Sequence, residues 1–213
     1  MEKILEINLN GEQMVLHPSG ALFWPRKQTL MLADVHIGKI EHFRKAGLAV
    51  PQGISEENFE RMDKVLEAFK PLHLIFLGDL FHSTKNKGWD RFFTWLKSKP
   101  CKATLVLGNH DRYAEKVLSD DDIELVSSLE IKDFLLTHHP AESSDRFNIC
   151  GHIHPGIVIR GRGRAYAKSA CFAVEKNRLI LPAFGVFTGL YPVEPDACES
   201  VYVCAPDEVL QLK

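Results

Sequence analysis

The chain has no apolar run approaching the roughly 18 residues that a membrane-spanning helix requires, and its first residues, MEKILEINLN, lack the basic and then apolar pattern of a signal peptide. A cytoplasmic protein with no membrane partner is expected. Cysteine is sparse: the five residues Cys101, Cys150, Cys171, Cys198 and Cys204 are odd in number and form no CxxC pair, which argues against a disulfide framework and suits buried free thiols in a reducing compartment. Neither sign of charge dominates. A formal charge of −2 over 213 residues, with a pI near 6.5, provides no global positive field and weighs against a polyanionic partner without excluding one. Glycine and proline are dispersed, and no repeat, linker or low-complexity tract appears, so one domain spanning 1–213 is expected.

What is present is punctuated alternation of strands and helices. ILEINL alternates at period two, Asn10-Gly11 is a strong hairpin turn, and MVLH and TLMLAD continue a β-rich start. Helices are predicted over 38–47, ended by Gly47, over 55–70, with Ser55 as cap and Phe59, Met62, Leu66 and Phe69 on one face, and over 89–97, with Trp89, Phe92, Phe93 and Leu96 inward. LHLIFLGD and ATLVLGNHD are nearly continuous apolar strands, a short helix is expected around 112–118, and from 122 onward the chain is mainly strands. The order predicts a mixed α/β sandwich with function at the strand ends.

Those strand ends share one chemistry. LADVH (32–36), LGDLFH (77–82), LGNHD (107–111), LTHHP (136–140) and CGHIHP (150–155) each close an apolar strand with polar, metal-capable residues, and strand carboxyl ends of an open α/β sheet face one crevice. On a strand, Asp34-x-His36 and His152-x-His154 each direct two side chains to one face, giving two chelating pairs. Imidazole, carboxylate and amide donors suit manganese, iron or zinc better than thiolate-seeking ions, and the candidates exceed one tetrahedral shell. Two ions about 3.5–4 Å apart, bridged by one carboxylate, form the arrangement that phosphatases and nucleases use. Asp79 is the natural bridge. Any one of these histidines alone is an ordinary turn residue; the five segments together are not.

In order, D-x-H, G-D, G-N-H-D, a strand-end His and G-H-x-H over residues 34–154 resemble the signature of calcineurin-like metallophosphoesterases. The resemblance implies a β-sandwich flanked by helices in a four-layer αββα stack. It implies Asp34, His36, Asp79 and His154 on one metal and Asp79, Asn109, His138 and His152 on the other, with His139 standing where relatives have glycine and remaining an alternative to His138. It further implies that His110 assists the leaving oxygen as general acid or stabilises the transition state, and that Asp111 orients it. An imidazole donates a proton near neutral pH, and a neighbouring carboxylate raises its pKa. Gly108 lets the backbone come close.

ADVHIGKIEHFRKAGLAVPQG (33–53), LGDLFHS (77–83) and LPAFGVFTGL (181–190) resemble the DNA ligase-associated branch of that family, with Leu190 departing from an expected glycine. That branch implies a manganese-dependent phosphodiesterase, two divalent ions, endonuclease action on single-stranded DNA in repair, and work alongside a DNA ligase and a helicase. Iron, zinc or magnesium are the other metal options. Lys39, Arg112 and His82 are candidate substrate contacts; Arg44 reads as a solvated helix face. Phe187 reads as core or turn before pocket lining. IRGRGRAYAK (159–168) is either a backbone-tracking basic loop or a hairpin tip kept soluble by arginines. Two alternatives stand beside the nuclease: hydrolysis of a nucleotide, cyclic nucleotide or other small phosphoester, and a catalytically silent interaction scaffold.

Overall fold

The computed structural model describes residues 2–45, 47–48, 54–118, 123–160 and 166–213. The expected basic-loop side chains of Arg160, Arg162 and Arg164, and residues 49–53 of the branch motif, lie outside the described residues. Seven strands form the first sheet in chain order: β1 (Leu5–Leu9), β2 (Glu12–Leu16), β3 (Leu22–Trp24), β4 (Thr29–Leu32), β5 (His73–Leu77), β6 (Lys102–Val106) and β7 (Glu124–Val126). The second sheet holds β8 (Leu129–Ile131), β9 (Phe134–Leu136), β10 (Phe147–Cys150), β11 (Pro155–Arg160), β12 (Tyr166–Glu175), β13 (Arg178–Ile180), β14 (Tyr191–Pro192), β15 (Ser200–Cys204) and β16 (Val209–Gln211). The Asn10-Gly11 turn is as expected: both residues take positive φ, 49° and 82°, as a two-residue hairpin turn demands.

Strands β1 to β4 run antiparallel, and β4 to β7 run parallel, so the carboxyl ends of β4, β5 and β6 open on one rim. The crossovers that make those strands parallel carry helices α1 (Lys39–Lys45), α2 (Ile54–Phe69) and α3 (Lys87–Lys97); a fourth, α4 (Ala114–Val117), follows β6. Helix α2 begins one residue before the expected cap Ser55, whose side chain is outside the described residues. Helix α3 begins two residues earlier than the sequence pattern suggests, because Asn86 caps it by accepting from the Gly88 amide at 2.9 Å.

Two apolar layers follow from these faces. Phe59, Met62 and Val65 of α2 and Trp89, Phe92 and Leu96 of α3 pack onto Leu30, Leu32, Leu74, Phe76 and Leu105, one face of the first sheet. The other face, with Met14, Leu22, Met31, Ile75 and Leu77, meets Phe134, Leu136, Ile149, Phe172 and Leu179 of the second sheet. Full burial of each such side chain contributes about 1.5–3 kcal/mol. The mixed α/β sandwich is therefore present. Its fourth layer is built differently from the first: the far side of the second sheet buries Cys150, Ile157, Cys171 and Ala173 against Cys198 and Val193 of the segment after β14, and no described helical residue joins that cluster. No helix among the described residues is long and apolar enough to cross a membrane.

In the second sheet β9 and β10 are parallel, so the segments after Leu136 and Cys150 also leave at one end. A parallel bridge between Ala33 and Ala183 joins the two sheets next to Asp34. The five strand ends thus converge.

Candidate metal centre and active site

Asp34, His36, Asp79, His152 and His154 have φ of 55°, 53°, 48°, 68° and 54°. This corrects the period-two expectation: β4 ends at Leu32 and β10 at Cys150, so neither D-x-H nor H-x-H lies on a strand, and left-handed backbone, not pleating, aims these side chains. Non-glycine residues hold such conformations only where their surroundings over-determine them. Here the Asp34, His36 and Ile37 amides donate to the carbonyls of Gly78, Asp79 and Leu80 at 3.2, 3.0 and 2.7 Å, zipping the two loops together beyond their strands.

Glycine makes the convergence possible at two places. Gly78 has φ of 76°, and a Cβ there would stand 2.1 Å from Nδ1 of His138. At Gly108 it would stand 2.4 Å from the Asp79 amide nitrogen, which confirms the close approach expected there.

Two donor groups result. Oδ1 of Asp34 and Nε2 of His154 lie 3.2 Å apart, with His36 in the same group, and both atoms are buried without a hydrogen-bond partner among the described residues. Around Nε2 of His138 gather Oδ1 of Asn109 and Nδ1 of His152, each at 3.1 Å, and Oδ1 of Asp79 at 3.4 Å. Donors bound at about 2.1 Å to one ion stand roughly 3.0 Å apart at octahedral angles and 3.4 Å at tetrahedral ones. Both groups match that spacing. Asp34, Asp79 and His138 also come together, so the two carboxylates lie where the groups meet. The residues present therefore fit divalent ions.

The surroundings prepare these donors. Nδ1 of His138 lies 3.0 Å from the Leu77 carbonyl, which accepts its N–H and leaves Nε2 with the free lone pair. Burial, reinforced by the Lys39 ammonium, pushes His36 down to about 2, and burial also lowers His152 and His139, so the imidazoles are neutral and available to metal at neutral pH. Oδ2 of Asp34 accepts the His152 amide and Oδ1 of Asp79 the His110 amide, each at 2.9 Å, which locks the carboxylates in place.

Of the two adjacent histidines, His138 is buried and tied to Leu77, whereas His139 is exposed with its ring 4.0 Å from that of His152. Both reach the same group.

His110 is partly exposed, and its Nε2 lies 3.9 Å from Oδ2 of Asp79. Among the described residues, no hydrogen bond joins Asp111 to the His110 ring. Both Asp111 oxygens are taken by backbone amides, Phe81 at 3.0 Å and Gly108 at 2.9 Å, so this fully buried carboxylate staples two loops together; burial pushes its pKa up to about 6. The group facing Nδ1 of His110 is the His82 backbone carbonyl, at 3.1 Å. A carbonyl only accepts, so Nδ1 carries hydrogen and any further proton resides on Nε2. Sequence reading missed this partner, because a backbone atom leaves no residue-type signal.

The weaker candidates separate. Lys39 is half-buried; burial lowers its pKa, and the Asp79 and Asp34 charges oppose that shift. His82 stacks on His110 at 5.1 Å between ring centres, and burial lowers it to about 4. Arg112 is exposed on the turn Asp111–Tyr113. Also unforeseen was Asn58, a buried clamp donating to the Val35 carbonyl and accepting from the Val186 amide.

Residues 28–169 match the family model for calcineurin-like phosphoesterases. Among solved structures, the chain is similar to the nuclease MPE of Pseudomonas putida, with a TM-score of 0.83 and 28% identity over 99% of this chain and 100% of that one. Yfce, a phosphoesterase from E. coli, gives a TM-score of 0.45 and 16% identity over 84% of this chain and 88% of that one. A protein of unknown function from Aquifex aeolicus gives 0.42 and 21% over 64% and 82%. No curated protein matches the chain.

Proposed function

This chain belongs to the calcineurin-like phosphoesterase family and is a metal-dependent phosphoesterase; from that premise we propose that it is a phosphodiesterase using two divalent ions, manganese first among them, to cleave single-stranded DNA in repair. The observation that carries the reading is the crowding of Asn109, His152 and Asp79 donors within 3.1–3.4 Å of Nε2 of His138, beside the separate Asp34, His36 and His154 group. The similarity in fold to a P. putida nuclease supports a nucleic-acid substrate.

Asp34, His36, Asp79 and His154 would hold one ion, and Asp79, Asn109, His138 and His152 the other. When bound, divalent ions supply Lewis-acid stabilisation of the phosphoryl oxygens and acidify water. The remaining work falls to the chain. His110 carries its transferable proton on Nε2, the side facing Asp79, and passes it to the departing oxygen; the His82 carbonyl keeps the ring turned that way. Lys39, whose charge the Asp34 and Asp79 carboxylates favour, holds a phosphate oxygen.

The test is a substrate panel on protein stripped with chelator and reloaded with manganese: single-stranded DNA, duplex DNA, RNA, bis(p-nitrophenyl) phosphate and p-nitrophenyl phosphate. The reading expects manganese-dependent cleavage of the diesters, with single-stranded DNA preferred. Turnover confined to the monoester would refute it and establish the small-phosphoester alternative.

A further inference from the structure

Four rings run from solvent to the metal centre. Phe187 and Phe43 have ring centres 5.7 Å apart, Phe43 and His82 are at 5.9 Å, and His82 stacks on His110 at 5.1 Å with planes 20° apart. Phe187 is 43% exposed, and neither phenylalanine belongs to any of the three apolar clusters that stabilise the fold. Among the described residues, neither ring is packed into the core.

The ledge is held firmly. The Gly185 amide donates to the Asp34 carbonyl at 3.1 Å and the Val186 amide to Oδ1 of Asn58 at 3.0 Å, so the loop that presents Phe187 is fastened to the same loop that presents the ligands. Phe43 follows Lys39 by four residues on α1, which puts the two on one helix face. That face therefore offers a cation and a ring beside it. A phosphate with an attached planar base has the same two features.

We propose that Phe43, Phe187 and His82 form a stacking ledge for the unpaired nucleobase next to the scissile phosphate, making a nucleic-acid strand the preferred substrate over a compact phosphoester. The proposal rests on the phosphodiesterase reading above. Stacking on a π-face needs an unpaired base but no particular one, so the ledge predicts preference for single strands with little sequence selectivity. Paired bases are already stacked and unavailable.

The experiment uses the manganese-loaded enzyme and three diesters: the dinucleotide dTpdT and two analogues in which one or the other nucleoside is replaced by an abasic tetrahydrofuran residue. Removing the base on the ledge side should lower kcat/KM by roughly tenfold or more, and removing the other should matter less. Phe187→Leu and Phe43→Leu should collapse that ratio, and Phe187→Tyr should keep it, with thermal midpoints confirming that the variants fold. Should the leucine variants fail to fold, the wild-type ratio decides. A wild-type ratio near one, or an unchanged ratio in folded leucine variants, overturns the ledge. Cleavage of bis(p-nitrophenyl) phosphate without cleavage of dTpdT overturns the ledge and leaves the phosphodiesterase reading standing; cleavage of no diester removes both.

Discussion

Gly78→Ala puts the convergence of strand ends to a direct test. The new methyl would sit 2.1 Å from Nδ1, 2.3 Å from Cγ and 2.5 Å from Cβ of His138, more than an ångström inside ordinary contact, on a residue only 1% exposed. Three contributions add: about 1–2 kcal/mol for a left-handed alanine, about 1–3 kcal/mol for overpacking, and about 1 kcal/mol for the hydrogen bond to Leu77 that a displaced His138 gives up. A loss of about 3–6 kcal/mol should lower the thermal midpoint of a domain this size by roughly 6–24 °C. Gly11→Ala is the control, since Gly11 has φ of 82° and nothing within 4 Å of the added carbon, so it carries the backbone penalty alone. The assay is scanning fluorimetry of both variants, followed by manganese titration calorimetry. Gly78→Ala should lose the binding step that uses His138, while Gly11→Ala keeps both. Equal midpoints for the two variants, with unaltered metal stoichiometry, would refute the claim that glycine makes the room in which His138 becomes a ligand.

The remaining predictions concern the same centre. His110→Ala should lower turnover by roughly 10²–10⁴ with metal content unchanged, because the side chain is partly exposed and outside both donor groups; elemental analysis beside a steady-state assay checks it, and unaltered turnover removes His110 from the mechanism. Asp79→Asn should weaken both binding steps in the calorimeter, because this carboxylate lies where the donor groups meet; weakening of one step alone contradicts that role. For metal-free protein, stability should fall as pH drops below about 6.5, since His36 stays neutral in the fold, lowered to about 2, while the unfolded chain takes up the proton. Denaturant titrations of His36→Gln should show a slope shallower by about 1.4 kcal/mol per pH unit, and identical slopes would show that burial does not hold His36 neutral.

Much of the scaffold was legible because burial on two faces writes itself into composition. LHLIFL and ATLVL appear as β5 and β6, the parallel middle of the first sheet, and the helices over 38–47, 55–70 and 89–97 appear within two residues of their expected starts. Shorter elements escaped. β14 and β16 have two and three residues, too few for any period to show, and they exist because longer neighbours offer them an edge. The cover of the second sheet's far face was not legible for a related reason: Cys198 and Val193 lie in irregular chain, and apolar residues without a period carry no sign of which sheet they cover.

At the site, residue types were legible and atomic roles were not. Asp, His and Asn at five strand ends pointed to metal chemistry, yet the partner of His110 is a carbonyl, and Asp111 spends both oxygens on the amides of Phe81 and Gly108. The backbone gives a sharper signal than either. Among the described residues, nine that are not glycine have positive φ: Asn10, Gln28, Lys70 and Lys132 are exposed residues at turns or a helix end, whereas Asp34, His36, Asp79, His152 and His154 are buried or half-buried and share one rim. A left-handed residue costs about 1–2 kcal/mol wherever it falls. At an exposed turn that cost simply reverses the chain; five times over, at acidic and imidazole side chains facing one another, it reverses nothing. What these five conformations achieve is to aim carboxylate and imidazole donors inward, where amide hydrogen bonds hold the carboxylates in place and a bound cation would add a further favourable term.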